Sequence, residues 1–378
     1  MDKAFSSVAV FGLGLIGGSV AGACKKAWPD VHVLGLTTSK ETCEKAIERG
    51  WADEAYTDSS DDAFRESLSK CDLAIICTPV PFVCDYMRLL EEVGFAGVIT
   101  DAASTKRHIT EEAARILSHP ERYIPGHPMA GSEVNGIEGA KPELFKGAHW
   151  ILCPDEKTDP DAFQRLHTFV CGLGARVVSL PRGDHDQAVA IVSHVPHVVA
   201  SSLVTLASRH ADDKKQLMRL AAGGFKDSTR IAAGSAKLWV GIALDNAEAL
   251  GNGIREMEDI LQDYREAIEQ GDKDRLEDLL EQSSVARRAL PMAWIPSTDD
   301  LLEVRIPMED RTGVIAEVTT IASSVGCNIQ SIEIDHMTED SAVLSMVLTD
   351  EGDVGKLSTQ LIKAGYTFSF HPLSAGGR

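Results

Sequence analysis

The sequence predicts an α/β protein in three parts. Residues 1–180 read as a doubly wound, mainly parallel sheet, 181–297 as an all-helical segment and 298–378 as a small βαββαβ unit. Three observations carry that reading. Short β-type runs alternate with helix-length stretches through the first part. The strand signal then stops in a stretch rich in Ala, Leu, Glu and Arg. It returns after the linker-like segment Pro291–Asp300, which holds Trp294, Pro296 and Ser297. A length of 378 residues is enough for two or three domains.

In the first part the candidate strands are Val8–Phe11, His32–Leu36, Leu73–Cys77, Val98–Thr100, Tyr123–Ile124, Trp150–Cys153 and Arg176–Ser179. The first runs into Gly12-Leu13-Gly14-Leu15-Ile16-Gly17, and a helix-like stretch, Gly18 to Lys26, follows. A G-x-G-x-x-G in this strand–turn–helix setting marks a Rossmann-like dinucleotide-binding domain. Gly12 permits the tight turn, Gly14 lets a pyrophosphate approach the backbone, and Gly17 lets helix and strand pack closely. The helix N-terminus adds amide donors and a positive dipole end. Leu15 and Ile16 within the loop, and Thr78 after the third strand, join the cofactor candidates. The second strand runs into Thr37-Thr38-Ser39-Lys40, with no acid to hold a ribose 2′-hydroxyl. Thr38, Ser39 and Lys40 could donate to a 2′-phosphate, so NADP is at least as plausible as NAD, unless backbone or water holds the ribose; Thr37 joins the cofactor candidates.

Gly126-His127-Pro128-Met129-Ala130-Gly131-Ser132-Glu133 reads as a turn at the carboxyl end of the strand Tyr123–Ile124, where open α/β sheets bind ligands. His127 there is either a satisfied structural histidine or, beside a nicotinamide, the acceptor for a hydroxyl proton. Ser104, in Asp101-Ala102-Ala103-Ser104-Thr105-Lys106, is either a helix N-cap or a partner of the reacting hydroxyl.

In the helical part, Leu250, Ile254, Met257, Leu261, Tyr264 and Ile268 are spaced 4, 3, 4, 3, 4, one apolar stripe that packs inside the chain or against a second subunit. The subunit interface is the favoured reading. His194 and His197 stand three apart without further metal ligands, so no metal is expected. Gly223-Gly224-Phe225-Lys226-Asp227-Ser228-Thr229-Arg230 opens a helix. Asp227 and Arg230 form a surface ion pair, or Lys226 and Arg230 form an anion site in which Arg grips a carboxylate bidentately. In the last part Leu301–Ile306, Ile329–Asp335, Ala342–Leu348 and Tyr366–Phe370 read as strands, with helices over Gly313–Val325 and Val354–Ala364.

The net charge of −20 divides as −8, −4 and −8 over the three parts. It argues against nucleic acid or an anionic membrane as partner, and no run of 18 apolar residues is present. The N-terminus reads as strand, glycine turn and helix rather than as a signal peptide. Eight scattered cysteines without a Cys-x-x-Cys pair fit reduced thiols in the cytoplasm.

These motifs together resemble the prephenate/arogenate dehydrogenase family of tyrosine biosynthesis, over about residues 5–290. The resemblance rests on Gly12–Gly17, Gly126-His127-Pro128-Met129-Ala130-Gly131, Ser193-His194-Val195-Pro196-His197, and Gly223 to Asp227 through Arg230 with Trp239 beyond. A Pro is often found before that Trp, and the segment Gly234-Ser235-Ala236-Lys237-Leu238-Trp239 of this chain has none. The last part resembles an ACT domain, with Asp310-Arg311-Thr312-Gly313 and Gly326-Cys327-Asn328-Ile329 at the expected places. The resemblance implies oxidative decarboxylation of prephenate to 4-hydroxyphenylpyruvate and CO2 with hydride transfer to NAD or NADP. It implies His127 as proton acceptor, Ser104 assisting, and Arg230 on a substrate carboxylate. His197, Lys226, Ser132, Glu133 and Asp227 would line the pocket, and Trp239 would reach the site of a neighbouring subunit in a homodimer. Tyrosine is the implied effector, near Asp310, Gly313 and Asn328. Arogenate or dual cyclohexadienyl specificity, a β-hydroxyacid dehydrogenase, and a non-enzymatic dinucleotide and amino-acid sensor are the competing readings.

Overall fold

The computed structural model describes residues 3–132, 134–209, 223–289, 302–309, 311–338, 341–349 and 353–372. The chain divides into two compact units, residues 1–263 and 264–378.

The first unit opens on six parallel strands: β1 (Ser7–Phe11), β2 (His32–Leu36), β3 (Glu54–Tyr56), β4 (Leu73–Ile76), β5 (Val98–Asp101) and β6 (Tyr123–Ile124), in the order 3-2-1-4-5-6. The order reverses between β1 and β4, which opens a crevice at their carboxyl ends. Helices α1 (Leu15–Ala27), α2 (Lys40–Glu48), α3 (Asp62–Ser69), α4 (Val83–Glu92) and α5 (Arg107–Ile116) connect the strands. Alternate strand residues point to opposite faces. Val8, Val10, Leu73 and Ile75 enter one core with Val20 and Phe169, while Ala9, Phe11, Ala74 and Ile76 enter another with Phe64 and Met87. Burial on both faces explains why these strands are unbroken apolar runs. Strand β3 has no such run, and only its pairing with Leu34–Leu36 defines it.

A second, three-stranded sheet follows: β7 (Gly126–Pro128), β8 (His149–Leu152) and β9 (Arg176–Ser179), with the helices α6 (Gly136–Gly139) and α7 (Pro160–Gly172). This corrects two expectations. Gly126-His127-Pro128 is a strand antiparallel to β8, not a turn, and β8 and β9 do not extend the parallel sheet. The cause is local: a Cβ at Gly126 would lie 2.7 Å from the Asp101 carbonyl oxygen, so glycine lets β7 leave the first sheet in close contact with the end of β5.

From Arg182 to Arg209 the chain is one helical run of 28 residues: α8 (Arg182–Val189), a π-turn (Ala190–His194) and α9 (Val195–Arg209). It is long and apolar enough to cross a membrane by length and composition alone. Its polar residues, which break the apolar sequence, include His185, Asp186, His194 and His197, all buried in this unit. Then come α10 (Gly223–Thr229), a 3-10 turn (Arg230–Ala233), α11 (Ala236–Asp245) and α12 (Ala247–Gln270). Along the α12 stripe Leu250 is buried, while Leu261 and Ile268 are exposed.

The second unit holds the end of α12, α13 (Lys273–Ala289) and a four-stranded antiparallel sheet of β10 (Leu302–Glu309), β11 (Ile329–Thr338), β12 (Ser341–Leu348) and β13 (Ser369–Pro372), ordered β11-β12-β10-β13. With α14 (Val314–Ser324) and α15 (Val354–Lys363) the element order is βαββαβ. The last strand begins later than expected. Tyr366 and Phe368 pack against the core ahead of it, and Ser369–Pro372 pairs with Leu302–Arg305. The expected linker Pro291–Asp300 lies outside the described residues.

Candidate active site

The glycine loop joins β1 to α1 at the sheet's crevice. Gly12 has φ +90°, and a Cβ there would meet the Cys77 carbonyl oxygen at 2.9 Å. A Cβ at Gly17 would sit 1.9 Å from the Gly12 carbonyl oxygen, so helix and turn touch through bare backbone. Around Gly14 nothing lies within 4 Å of the Cβ position, and as the N-cap of α1 it offers no side chain to the first turn, which Leu15 and Ile16 begin. Open space before uncapped amides is what a pyrophosphate requires. Against Gly12 lies Thr78, whose buried Oγ1 has no hydrogen-bond partner. A dinucleotide therefore fits this cradle. Beyond β2 the Thr37 amide donates to the Tyr56 carbonyl, Ser39 caps α2 through Thr42 N at 3.3 Å, and Thr38 and Lys40 are exposed.

Beside the cradle, β5 ends in the buried Asp101. Its carboxylate accepts from Lys106 Nζ at 2.5 Å, Tyr123 OH at 2.7 Å, Ala103 N at 2.8 Å and Gly126 N at 3.4 Å. A fully buried Lys–Asp pair is tolerable only when its remaining valences are met in this way. Burial and the Asp101 charge push the Tyr123 phenol well above its ordinary value, so it stays a donor. These contacts fold 101–106 into a tight loop that holds Ser104 half-buried. Ser104 is not a helix cap. The amides of Lys106 and Arg107 at the start of α5 are taken instead by Asp186 of α8, each at 2.8 Å.

His127 stands on β7, buried, its Nδ1 2.9 Å from His185 Nε2. His185 Nδ1 in turn lies 2.8 Å from Asp186 Oδ1. Burial, with the Lys106 cation next, drives the His127 imidazole well below its ordinary value, so it is neutral. Burial alone would raise the Asp186 carboxyl, but the His185 bond and the two backbone amides outweigh it and hold Asp186 ionised. Asn246 Nδ2 donates to the Asp186 carbonyl at 2.8 Å and lies 3.3 Å from His194 Nδ1. Burial lowers His194 to about 4.

His197 stacks flat on Trp239, ring centres 3.6 Å apart, and its buried Nδ1 has no hydrogen-bond partner. A Cβ at Gly234 would touch both rings, so the 3-10 turn carrying Arg230 closes directly over them. Arg230, Lys226 and Asp227 are exposed on this segment. Ser132 accepts from Val134 N at 3.1 Å in an exposed turn, and Glu133 lies outside the described residues.

Lys106, His185, Asp186 and Asn246 are buried polar residues that sequence reasoning missed. The polar run Asp184-His185-Asp186 opening an apolar helix was the available signal.

Residues 20–179 match the family described as "Prephenate dehydrogenase, nucleotide-binding domain", and 181–282 match "Prephenate dehydrogenase, dimerization domain". The chain is 32% identical over 370 residues to the prephenate dehydrogenase of Bacillus subtilis, covering 96% of this chain and 97% of that one. It is 34% identical over 292 residues to the cyclohexadienyl dehydrogenase of Zymomonas mobilis, covering 76% and 96%. The solved prephenate dehydrogenase of Aquifex aeolicus, in complex with hydroxyphenyl propionate and NAD+, superposes with a TM-score of 0.71 at 27% identity, covering 76% of this chain and 98% of that one. With its glycine cradle, its buried imidazole and these relatives, the chain is an NAD(P)-dependent oxidoreductase and belongs to the prephenate dehydrogenase family.

Proposed function

We propose that the chain oxidises and decarboxylates prephenate to 4-hydroxyphenylpyruvate and CO2, with His127 as the base. The observation that carries the reading is the state of His127: neutral, buried and tied at one nitrogen, on the strand that follows β6 at the sheet's ligand edge. A bound nicotinamide supplies the hydride acceptor, seated through Gly12, Gly14, Leu15, Ile16, Gly17, Thr78 and the Thr37–Ser39 edge. His127 takes the ring hydroxyl proton while Ser104 orients that hydroxyl. The pair from the breaking ring–carboxylate bond then aromatises the ring, and the proton returns to the phenol oxygen. Arg230 binds a substrate carboxylate, with Lys226 adding charge. His197, Ser132, Glu133 and Asp227 line the pocket. A dianion taken out of water requires such fixed cations.

Two copies pair through the helical part. Val192, Leu206, Val240 and Leu244 leave its outer faces apolar and more than half exposed, and Trp239 is carried on the same helices. The C-terminal βαββαβ unit is read as an ACT domain that takes tyrosine as feedback effector. Gly313, left-handed at φ +91°, opens α14, and Asn328 lines a groove with Thr319, Ser323 and Cys327. Asp310, the third candidate there, lies outside the described residues. Eight free thiols suit a cytoplasmic enzyme.

The test is absorbance of reduced nicotinamide with prephenate or arogenate, each with NAD and NADP, with and without tyrosine. A prephenate-dependent signal that tyrosine depresses is expected. No signal in any combination would sink the reading. An equal arogenate signal would favour dual specificity, as the cyclohexadienyl relative suggests.

A further inference from the structure

His127 has one buried neighbour at its Nδ1, and that neighbour has another: His185 and Asp186, adjacent on α8 and both buried. We propose that His185 and Asp186 are positioning residues that fix His127 with its hydrogen on Nδ1, which leaves Nε2 bare as the proton acceptor. This rests on reading His127 as the base.

An ionised carboxylate only accepts, so the His185 nitrogen facing it, Nδ1, carries hydrogen. In neutral imidazole the other nitrogen is then a lone pair. With the His185 ring neutral, its Nε2 accepts, and the hydrogen between the two rings belongs to His127 Nδ1. What is left on His127 is an unprotonated Nε2. The opposite tautomer would present an N–H to the substrate hydroxyl and could not accept from it. When Nε2 takes the hydroxyl proton, Nδ1 keeps its own. The new imidazolium is then stabilised through His185 by an Asp186 that stays ionised, the logic of an oriented acid–base triad.

Asp186 has a second hold on the site. The same carboxylate takes the amides of Lys106 and Arg107, so the loop that carries Ser104 and the ring pair that orients His127 are registered on one group. Asn246, bonded to the Asp186 carbonyl, fixes that segment of α8 in turn.

The test begins on the intact wild-type protein with ¹⁵N-labelled histidine, each resonance assigned by single substitution. His127 is expected to be protonated at Nδ1 and unprotonated at Nε2. The opposite tautomer, or a freely exchanging mixture, would overturn the proposal. Kinetics come second. His185→Leu removes the acceptor and should lower kcat about 10²-fold with KM nearly unchanged. His185→Gln, whose amide oxygen can accept from Nδ1, should recover part of that loss. Equal turnover in wild type, His185→Leu and His185→Gln would count against the proposal, as would a loss confined to KM. His127→Asn serves as the separate control. Should it retain near-normal turnover, the base assignment itself falls, whatever the tautomer proves to be.

Discussion

On the proposed reading two side chains, His127 and Arg230, divide the chemistry, and they should fail differently. His127→Asn keeps a polar side chain at the position and removes the base, so kcat should drop by roughly 10²–10⁴ while substrate still binds. Arg230→Ala removes a cation from an exposed segment, so KM should rise far more than kcat falls, the mark of lost uniform binding. Steady-state kinetics on both variants separates the roles, and a pure turnover defect in Arg230→Ala would contradict the carboxylate assignment. The acid side of the pH profile follows from the direction of the His127 shift. A base whose pKa is depressed stays unprotonated as pH falls past 6.5, so kcat/KM should hold through that point and decline only below it. A half-maximal point at or above 6.5 would mean that the buried, Lys106-opposed imidazole is not the titrating base. His127 and Arg230 stood out as candidates in the sequence because each sits in a short, chemically unusual run. Lys106 and Asp186 were not, since nothing local says that a lysine will be buried against Asp101 or that an aspartate on α8 will cap α5.

At the level of elements, the β1–loop–α1 unit separates folding from binding. A methyl group at Gly17 meets the Gly12 carbonyl at 1.9 Å, while one at Gly14 meets nothing within 4 Å. Gly17→Ala should therefore cost both stability, about 1–3 kcal/mol as for other overpacked sites, and cofactor affinity. Gly14→Ala should fold normally and lose only affinity, because its methyl occupies the space meant for phosphate. Thermal melts and nicotinamide titrations on the two variants distinguish these outcomes, and equal melting points would refute the contrast. This unit was fully readable, since a glycine spacing between a strand and a helix is a local pattern. Strand β7 was not. Its three residues look like a turn, and only the close approach to Asp101 and the pairing with β8 make them a strand. The π-turn at Ala190–His194 was equally hidden, although wide turns of this kind recur where side chains must be aimed at a site.

Across the whole molecule, the helical part leaves more apolar surface than a lone subunit has reason to expose, with Leu244 74% and Val192 67% accessible. Sedimentation velocity should find a dimer. Glu at both positions should shift it to monomer without lowering the melting point of the subunit, because neither side chain is buried within the chain. A monomeric wild type at micromolar concentration would remove the interface. The charge of −20, spread over all three parts, leaves substrate binding to a few local cations and predicts weak electrostatic steering. By itself the sequence determined the parallel sheet, the cofactor loop, the helical middle and the βαββαβ order, because periodicity and short motifs are local properties of a chain. Only the tertiary structure decided which residues surround His127, what holds the Ser104 loop, and which polar residues stay buried. Those depend on hydrogen bonds between residues as far as 80 positions apart, and no spacing along a chain encodes them.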